Sequence, residues 1–459
     1  MDDPCVAALF PLPLTAFEKY MFWDDACDYP MTFAMRLGLR GELHREAFDA
    51  SIDEALGHHP LLRALVKPSG RGSLVWRLSD APRPVVDWGT PETPIGDPRG
   101  ERIDLSSEVG FRAWVRQGNG AAKVVLQFHH ACCDAIGALR FIGHALAGYA
   151  IHTASGSDRP RLPVYDPSTL LRRGQFAAEP PEREARFGGL LKSVRDGARW
   201  IYRRPVVLRA HVAGSPANAA RPEFLETHQH SFDALQTKRL RSAASRHGVT
   251  SNDLLLRDMF QTLREWREGQ DARSASRWLR IVVPVNLRPG DDARTPAANG
   301  ISYTFLTRDE GRCGDGDALL RGIGEEAGVI TRRRRAKLFL RGFEMMERIP
   351  GAIRLYLNRN RCFATVALSN VGEVSRQLGT VFPCEAGNVV AGNVTLESIY
   401  GTPPVRPNTR ASISIGRYGE RLWLGIRCDP KVFSSEESRR LLTRYADRVG
   451  KTMDEGTTR

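Results

Sequence analysis

His129-His130-Ala131-Cys132-Cys133-Asp134 is the stretch on which the reading of this chain turns. It follows the apolar run Val124, Val125, Leu126 and Phe128, which is too short for a helix and rich in β-branched and aromatic residues. Such a run predicts a buried strand over Lys123 to Phe128. The next apolar positions, Ile136, Leu139, Ile142 and Leu146, recur at helical spacing. The motif therefore falls on a strand-to-helix junction, a place that can hold side chains rigidly at the mouth of a cleft. Neutral imidazole can take a proton near neutral pH and return it, and a carboxylate four residues after the second histidine can fix local geometry or charge. The same carboxylate has a plain structural reading as the cap of the following helix.

Farther along, strands are predicted at Arg280 to Leu287, Ile301 to Leu306 and Thr365 to Ser369, with a hairpin from Ser412 to Cys428 turning near Tyr418-Gly419. Ser251 or Asn252 is placed to cap a helix carrying Leu255, Leu256, Met259, Phe260, Leu263 and Trp266. Strands and helices mix without regular βαβ alternation, which predicts α+β or a mixed-sheet α/β fold. At 459 residues the chain exceeds the usual size of one core. Residues 154–186 and 203–224 are rich in proline, glycine and charge. Between them Phe187, Leu190, Leu191, Val194, Ala198 and Ile201 form one helical stripe with basic residues around it. This divides the chain into an N-terminal lobe (1–175), a crossover linker with an amphipathic basic helix (176–225) and a C-terminal lobe (226–459). The basic helix reads as laid on its own domain, with peripheral membrane contact as the alternative.

Composition narrows the function classes. Hydrophobic content of 42% is ordinary for a globular protein. No apolar run approaches the ~18 residues of a membrane-spanning helix, and Met1-Asp2-Asp3-Pro4 is acidic where a secretory signal is basic. A cytoplasmic protein, monomeric, is expected. The eight cysteines contain no CxxC pair, so neither a disulfide framework nor a zinc site is predicted. His228 and His230 alternate in a predicted strand, but no further ligand is placed beside them by spacing, and no metal is expected. A net charge of +13 raises nucleic acid as a partner. The excess is arginine scattered along the chain without a recognition motif, so nucleic acid is not expected. Arg332, Arg333, Arg334 and Arg335 form its densest cluster, read either as a solvated helix face or as an attractor for an anionic ligand.

With these residues in view, the chain resembles the HHxxxDG acyltransferase superfamily. That superfamily includes chloramphenicol acetyltransferase, the condensation domains of nonribosomal peptide synthetases, the polyketide-associated acyltransferases and the bacterial wax ester synthase/diacylglycerol acyltransferases. The resemblance is carried in order along nearly the whole chain. It runs through Pro13-Leu14-Thr15-Ala16-Phe17, Gly57-His58-His59-Pro60-Leu61-Leu62-Arg63, the HHxxxD run, Asn252-Asp253, Pro284-Val285-Asn286-Leu287-Arg288, Asn299-Gly300-Ile301-Ser302 and Ser369-Asn370-Val371-Gly372. Two departures stand out. Ala135 occupies the position where the family usually has glycine, and the last element lacks the proline of the wax ester synthases.

The resemblance implies two chloramphenicol acetyltransferase-like lobes with a tunnel between them. It implies that His130 is the general base, and that Asp134 points away from substrate to pair with an arginine, for which Arg288 is the candidate. A surface position is the alternative for Arg288, and a helix cap for Asp134. His129 is assigned to orientation or structure. Asn299, Ser369 and Asn370 are candidates for the tunnel wall, with a turn role open for the last two, and Arg332 to Arg335 are candidates for donor binding. The implied reaction moves an acyl group from a coenzyme A or phosphopantetheine-linked carrier-protein thioester to an alcohol or amine acceptor. It needs no cofactor, and the chain contains no G-x-S-x-G elbow for a covalent acyl-enzyme. An acidic acyl carrier protein is the expected protein partner. A free-standing condensation domain and a non-catalytic, carrier-docking member are the alternatives, the second resting on Ala135 alone.

Overall fold

The computed structural model describes residues 4–70, 73–81, 83–153, 160–175, 202–211, 223–268, 276–290, 292–327, 329–357 and 361–455. The predicted helix over 187–202 falls almost wholly outside the described residues. Two large sheets organise the rest, as the mixed pattern of strands and helices predicts. The first has seven strands in the order Cys384–Glu385, Asn388–Ala391, Val394–Thr402, Thr32–Arg40, Ala121–His129, Phe111–Gly118 and Val86–Gly89. The second has six, in the order Ile301–Asp309, Trp278–Asn286, Val366–Glu373, Ala411–Tyr418, Arg421–Cys428 and His228–Phe232. In the second sheet Val366–Glu373 pairs parallel with both neighbours while the other pairs are antiparallel.

One boundary drawn from sequence needs correction. Residues 384–402 were assigned with the C-terminal lobe, yet Val394–Thr402 pairs antiparallel with Thr32–Arg40 and completes the N-terminal sheet. Its apolar residues Val394, Leu396 and Ile399 share the N-terminal core with Leu37, Leu126 and Phe128. A strand's hydrogen-bonding partner is set by the tertiary path of the chain, and composition carries no trace of it.

Local chemistry accounts for the elements near the site. The strand Ala121–His129 pairs across its whole length with Thr32–Arg40 and with Phe111–Gly118, so it is a central strand, and its residues 124–129 are buried. The helix Ala135–Thr153 begins at once, buried along most of its length against the helix Arg45–His58. In the helix Ala16–Asp24, Thr15 and Glu18 form a capping box, which gives the proline-leucine-threonine segment a structural meaning. The helix Ser251–Arg267 is capped by Thr250, one residue before the expected position, again through a capping box, with Asp253. In the hairpin Ala411–Tyr418 to Arg421–Cys428, Gly419 and Glu420 both have positive φ, 55° and 63°, as a two-residue type I′ turn requires.

Gly143 is where the helix Ala135–Thr153 meets the backbone of another segment. A Cβ built there would stand 1.7 Å from the Leu378 carbonyl oxygen. Gly143→Ala is expected to lower stability by about 1–3 kcal/mol, the usual penalty of overpacking, in denaturant unfolding. An unchanged midpoint would mean that the segment around Leu378 yields without cost.

Candidate active site

The end of the strand Ala121–His129 and the start of the helix Ala135–Thr153 face the C-terminal lobe across a cavity of about 1380 Å³, open mouth included. Both lobes line it. Phe33, Met35 and His130 come from the first, and Tyr303, Ser369 and Trp423 from the second. The wall is largely apolar.

His130 lies deep in the molecule but presents part of its ring to this cavity. Its backbone N–H donates to Met31 O at 2.8 Å, and its ring sits 4.9 Å from that of Phe33. Burial lowers its pKa below the ordinary imidazole value, with Asp134 and Asn299 acting the other way. The neutral, proton-accepting form is therefore favoured at pH 7.

His129 does a different job. It is fully buried and absent from the cavity wall. Its Nδ1 accepts from the Ala131 backbone N–H at 3.0 Å, which leaves the proton on Nε2, 3.8 Å from Asp25 Oδ1. Burial, with His130 and Arg102 adding to it, lowers its pKa to about 3. A neutral imidazole spent on the turn after the strand is a structural element. Cys132 and Cys133 are fully buried, off the cavity wall, and held as thiols by that burial.

Asp134 and Arg288, 154 residues apart, form a buried bidentate pair at 2.8 and 2.9 Å. The same carboxylate accepts from the Gly137 N–H at 2.9 Å and the Gly300 N–H at 2.8 Å. Asp134 therefore fills both roles considered for it, capping the helix Ala135–Thr153 and pairing with the arginine. Burial acts to raise its pKa, but the Arg288 charge and the hydrogen bonds outweigh it and hold the carboxylate below its usual range. Arg288 is correspondingly buried, not a surface residue.

Asn299 is placed differently from expectation. It lies behind the cavity wall, its Nδ2 donating to His130 O at 2.8 Å and Ala131 O at 3.0 Å. It clamps the backbone of the motif. Ser369 and Asn370 do line the cavity. Asn370 also makes a turn, accepting from the Gly372 N–H at 2.9 Å, and donates to Asn252 Oδ1 at 3.1 Å. Of the basic cluster, Arg335 pairs with Glu326 at 2.6 Å and is not among the residues of the cavity wall. The side chains of Arg332, Arg333 and Arg334 are outside the described residues.

Ala135 is the first residue of the helix and not among the residues with positive φ. The glycine of the family is therefore not demanded by backbone conformation here. Sequence reasoning missed the pair formed by Arg406, in the cavity wall, and Asp24, whose closest contacts include one of 2.7 Å. Burial acts to lower the Arg406 pKa, but Asp24 and Tyr20 outweigh it and push it up. The partners are 382 residues apart, and no motif marks either one.

No family model matches the chain. It is 22% identical over 453 residues to Rv2305, an uncharacterized protein of Mycobacterium tuberculosis, covering 95% of this chain and 98% of that one. Among solved structures it is similar to SgcC5 of Streptomyces globisporus (TM-score 0.62, 16% identity, 96% and 99% covered). It is likewise similar to polyketide synthase associated protein 5 of Mycobacterium tuberculosis (0.58, 16%, 96% and 98%). With the first condensation domain of the CDA synthetase the values are 0.62, 14%, 97% and 96%. The nonribosomal peptide synthetase FmoA3 matches at 0.62 and 18% over 99% of this chain, which spans 46% of that larger protein. The chain has the fold of the condensation domains and of the polyketide-associated protein, the fold that the sequence resemblance implies.

Asp134→Asn and Arg288→Gln are each expected to destabilise by about 3–5 kcal/mol, because either leaves an uncompensated buried partner. A double-mutant cycle should show strong coupling, and additive losses would mean that the pair carries none. A carboxylate with a depressed folded-state pKa stabilises above its unfolded value, and that contribution is lost as pH falls through the folded one. Acid unfolding of the Asp134→Asn variant should therefore lack one protonation step. Ala135→Gly is expected to leave turnover unimproved and to cost up to about 1 kcal/mol of helix propensity. A gain in rate would show that the glycine of the family serves catalysis.

Proposed function

We propose that this protein is an acyltransferase that moves an acyl group from a coenzyme A or carrier-protein thioester to a hydroxyl or amine acceptor, with His130 as general base. The observation that carries the reading is that, of the two motif histidines, His130 alone lines the cavity between the lobes, in a neutral form favoured by burial. The acceptor O–H or N–H gives its proton to His130 as its lone pair attacks the thioester carbonyl. The C–S bond then breaks, and the departing sulfur takes the proton back from His130. The thiols of Cys132 and Cys133 are buried away from that route.

A positioned base supplies typically ~10² to 10⁴-fold, or roughly 3 to 5 kcal/mol of barrier. Aligning two substrates in one cavity supplies the rest. The apolar wall suits an acyl chain and keeps water from the thioester. Arg332, Arg333 and Arg334 remain in the proposal as donor-steering residues on their charge alone. The non-catalytic alternative loses its support, since Ala135 sits unstrained at the helix start. A condensation reaction uses the same proton transfers with a carrier-bound amine, so acceptor preference separates the two enzyme readings.

The test is thiol release by the purified protein against a panel of acyl thioesters with alcohol and amine acceptors. His130→Ala should remain folded and lose at least ~10²-fold in turnover, and unchanged turnover would overturn the assignment. The acid limb of kcat/KM is expected to have its midpoint below the ordinary imidazole value of about 6.5, because burial disfavours the imidazolium. A midpoint above that value would assign the base elsewhere.

A further inference from the structure

Away from the cavity, the helices Arg45–His58 and Ala135–Thr153 pack face to face and bring together three side chains that no motif connects. Glu54 and His58 stand one turn apart on the first helix, and His144 faces them from the second. Each offers a ligand atom, and these atoms all lie within 4.8 Å of one another. We propose that Glu54, His58 and His144 form a binding site for a divalent transition-metal ion, zinc by the chemistry of its donors, which clips the two helices together.

The strongest observation is His144. It is 1% exposed, and neither of its ring nitrogens has a hydrogen-bond partner among the described residues. A buried polar group without a partner is a cost that native structures rarely carry unexplained. Its ring lies 4.8 Å from that of His58, tilted by 33°. Two imidazoles and one carboxylate match a three-ligand zinc site with one position left for water. Tetrahedral zinc with bonds near 2.1 Å separates its donors by roughly 3.4 Å, so no pair has to close by more than about 1.4 Å from the 4.8 Å limit. Glu54 is half-buried and His58 exposed, so both side chains can rotate to close it.

The surroundings fit a carboxylate held at this point. Gly148 lies one turn beyond His144, and a Cβ there would stand 3.4 Å from Glu54 Oε2, so the carboxylate lies against this helix. A further turn on, His152 Nε2 stands 3.6 Å from Glu54 Oε2, a polar neighbour for the carboxylate. His59, the next residue along, is excluded as a ligand because its Nδ1 accepts from the Ala297 N–H at 2.8 Å and its ring turns toward Tyr165. Its neighbour in the fold, the segment 297–299, is the one that clamps the catalytic motif. The metal clip therefore sits one layer behind the active site without touching the cavity wall.

The experiment uses the full chain, stripped with chelator and titrated with Co²⁺ and with Zn²⁺. Wild type should take up Co²⁺ at a single site with the visible absorption of tetrahedral coordination, and its melting temperature should rise with Zn²⁺ concentration. His58→Gln, at an exposed position, and Glu54→Gln should each weaken binding by more than the ~10-fold that loss of even an outer-shell partner costs. His144→Phe should abolish the tetrahedral spectrum. His230→Ala should change nothing. Absence of uptake by wild type would overturn the proposal, as would uptake that His58→Gln leaves untouched, which would point to the exposed Cys27 or Cys384. The readouts are independent of acyl transfer, so this site stands or falls apart from the proposed reaction.

Discussion

The carboxylate of Asp134 is saturated. Each of its oxygens accepts one bond from Arg288 and one from a backbone N–H, Gly137 on its own helix and Gly300 on the opposite lobe. About four acceptor positions is all a carboxylate has, and here they come from both halves of the molecule. Everything near the cavity depends on that junction. It starts the helix Ala135–Thr153, holds the strand Ile301–Asp309 at the residue before its start, and fixes the turn that carries His130. Gly300 has to be glycine for this to close, since a Cβ there would stand 2.5 Å from the Arg288 side chain. A charge pair of this kind costs a good deal to bury. Its return is position, because a bidentate guanidinium bridging two lobes allows one relative placement of the sheets where apolar contact would allow several.

Around that junction the two motif histidines divide their work by where their rings can go. On a strand, neighbouring side chains point to opposite faces, and the strand ends between them. His129 is turned into the core, where the Ala131 N–H occupies its Nδ1 and a buried neutral state follows. His130 is turned to the cavity, with Asn299 clamping its carbonyl from behind. His130 is thus held by its own backbone, and its ring is left facing the cavity. A wall largely of aliphatic and aromatic side chains, with Ser369, Asn370 and the paired Arg406 among its polar members, makes the cavity mostly apolar and strengthens each polar contact within it.

Much of this could be read in the chain. Periodicity located the central strand and the helix after the motif, because a buried strand reads as a short apolar run and a helix repeats its apolar residues at its own pitch. Turn chemistry located the hairpin at Tyr418-Gly419. The order of short motifs supplied the fold and the pairing of Asp134 with Arg288, which no local pattern could have given. The misplacements have one cause. Asn299 was put in the tunnel wall, and residues 384–402 in the C-terminal lobe, because neither a side chain's direction nor a strand's partner is encoded by its neighbours in sequence.

The sequence by itself determined the strand and helix on either side of the motif, where a proton-accepting histidine sits beside a carboxylate, and that any acyl transfer here would run without a nucleophile elbow. Tertiary structure decided which histidine faces the cavity, that Asp134 serves two lobes at once, and that Glu54, His58 and His144 share one point between two helices. The physical reason is range. Propensity, capping and amphipathic period act over a few residues, whereas cavities, bidentate pairs and ligand clusters join positions up to several hundred residues apart and exist only once the chain has closed on itself.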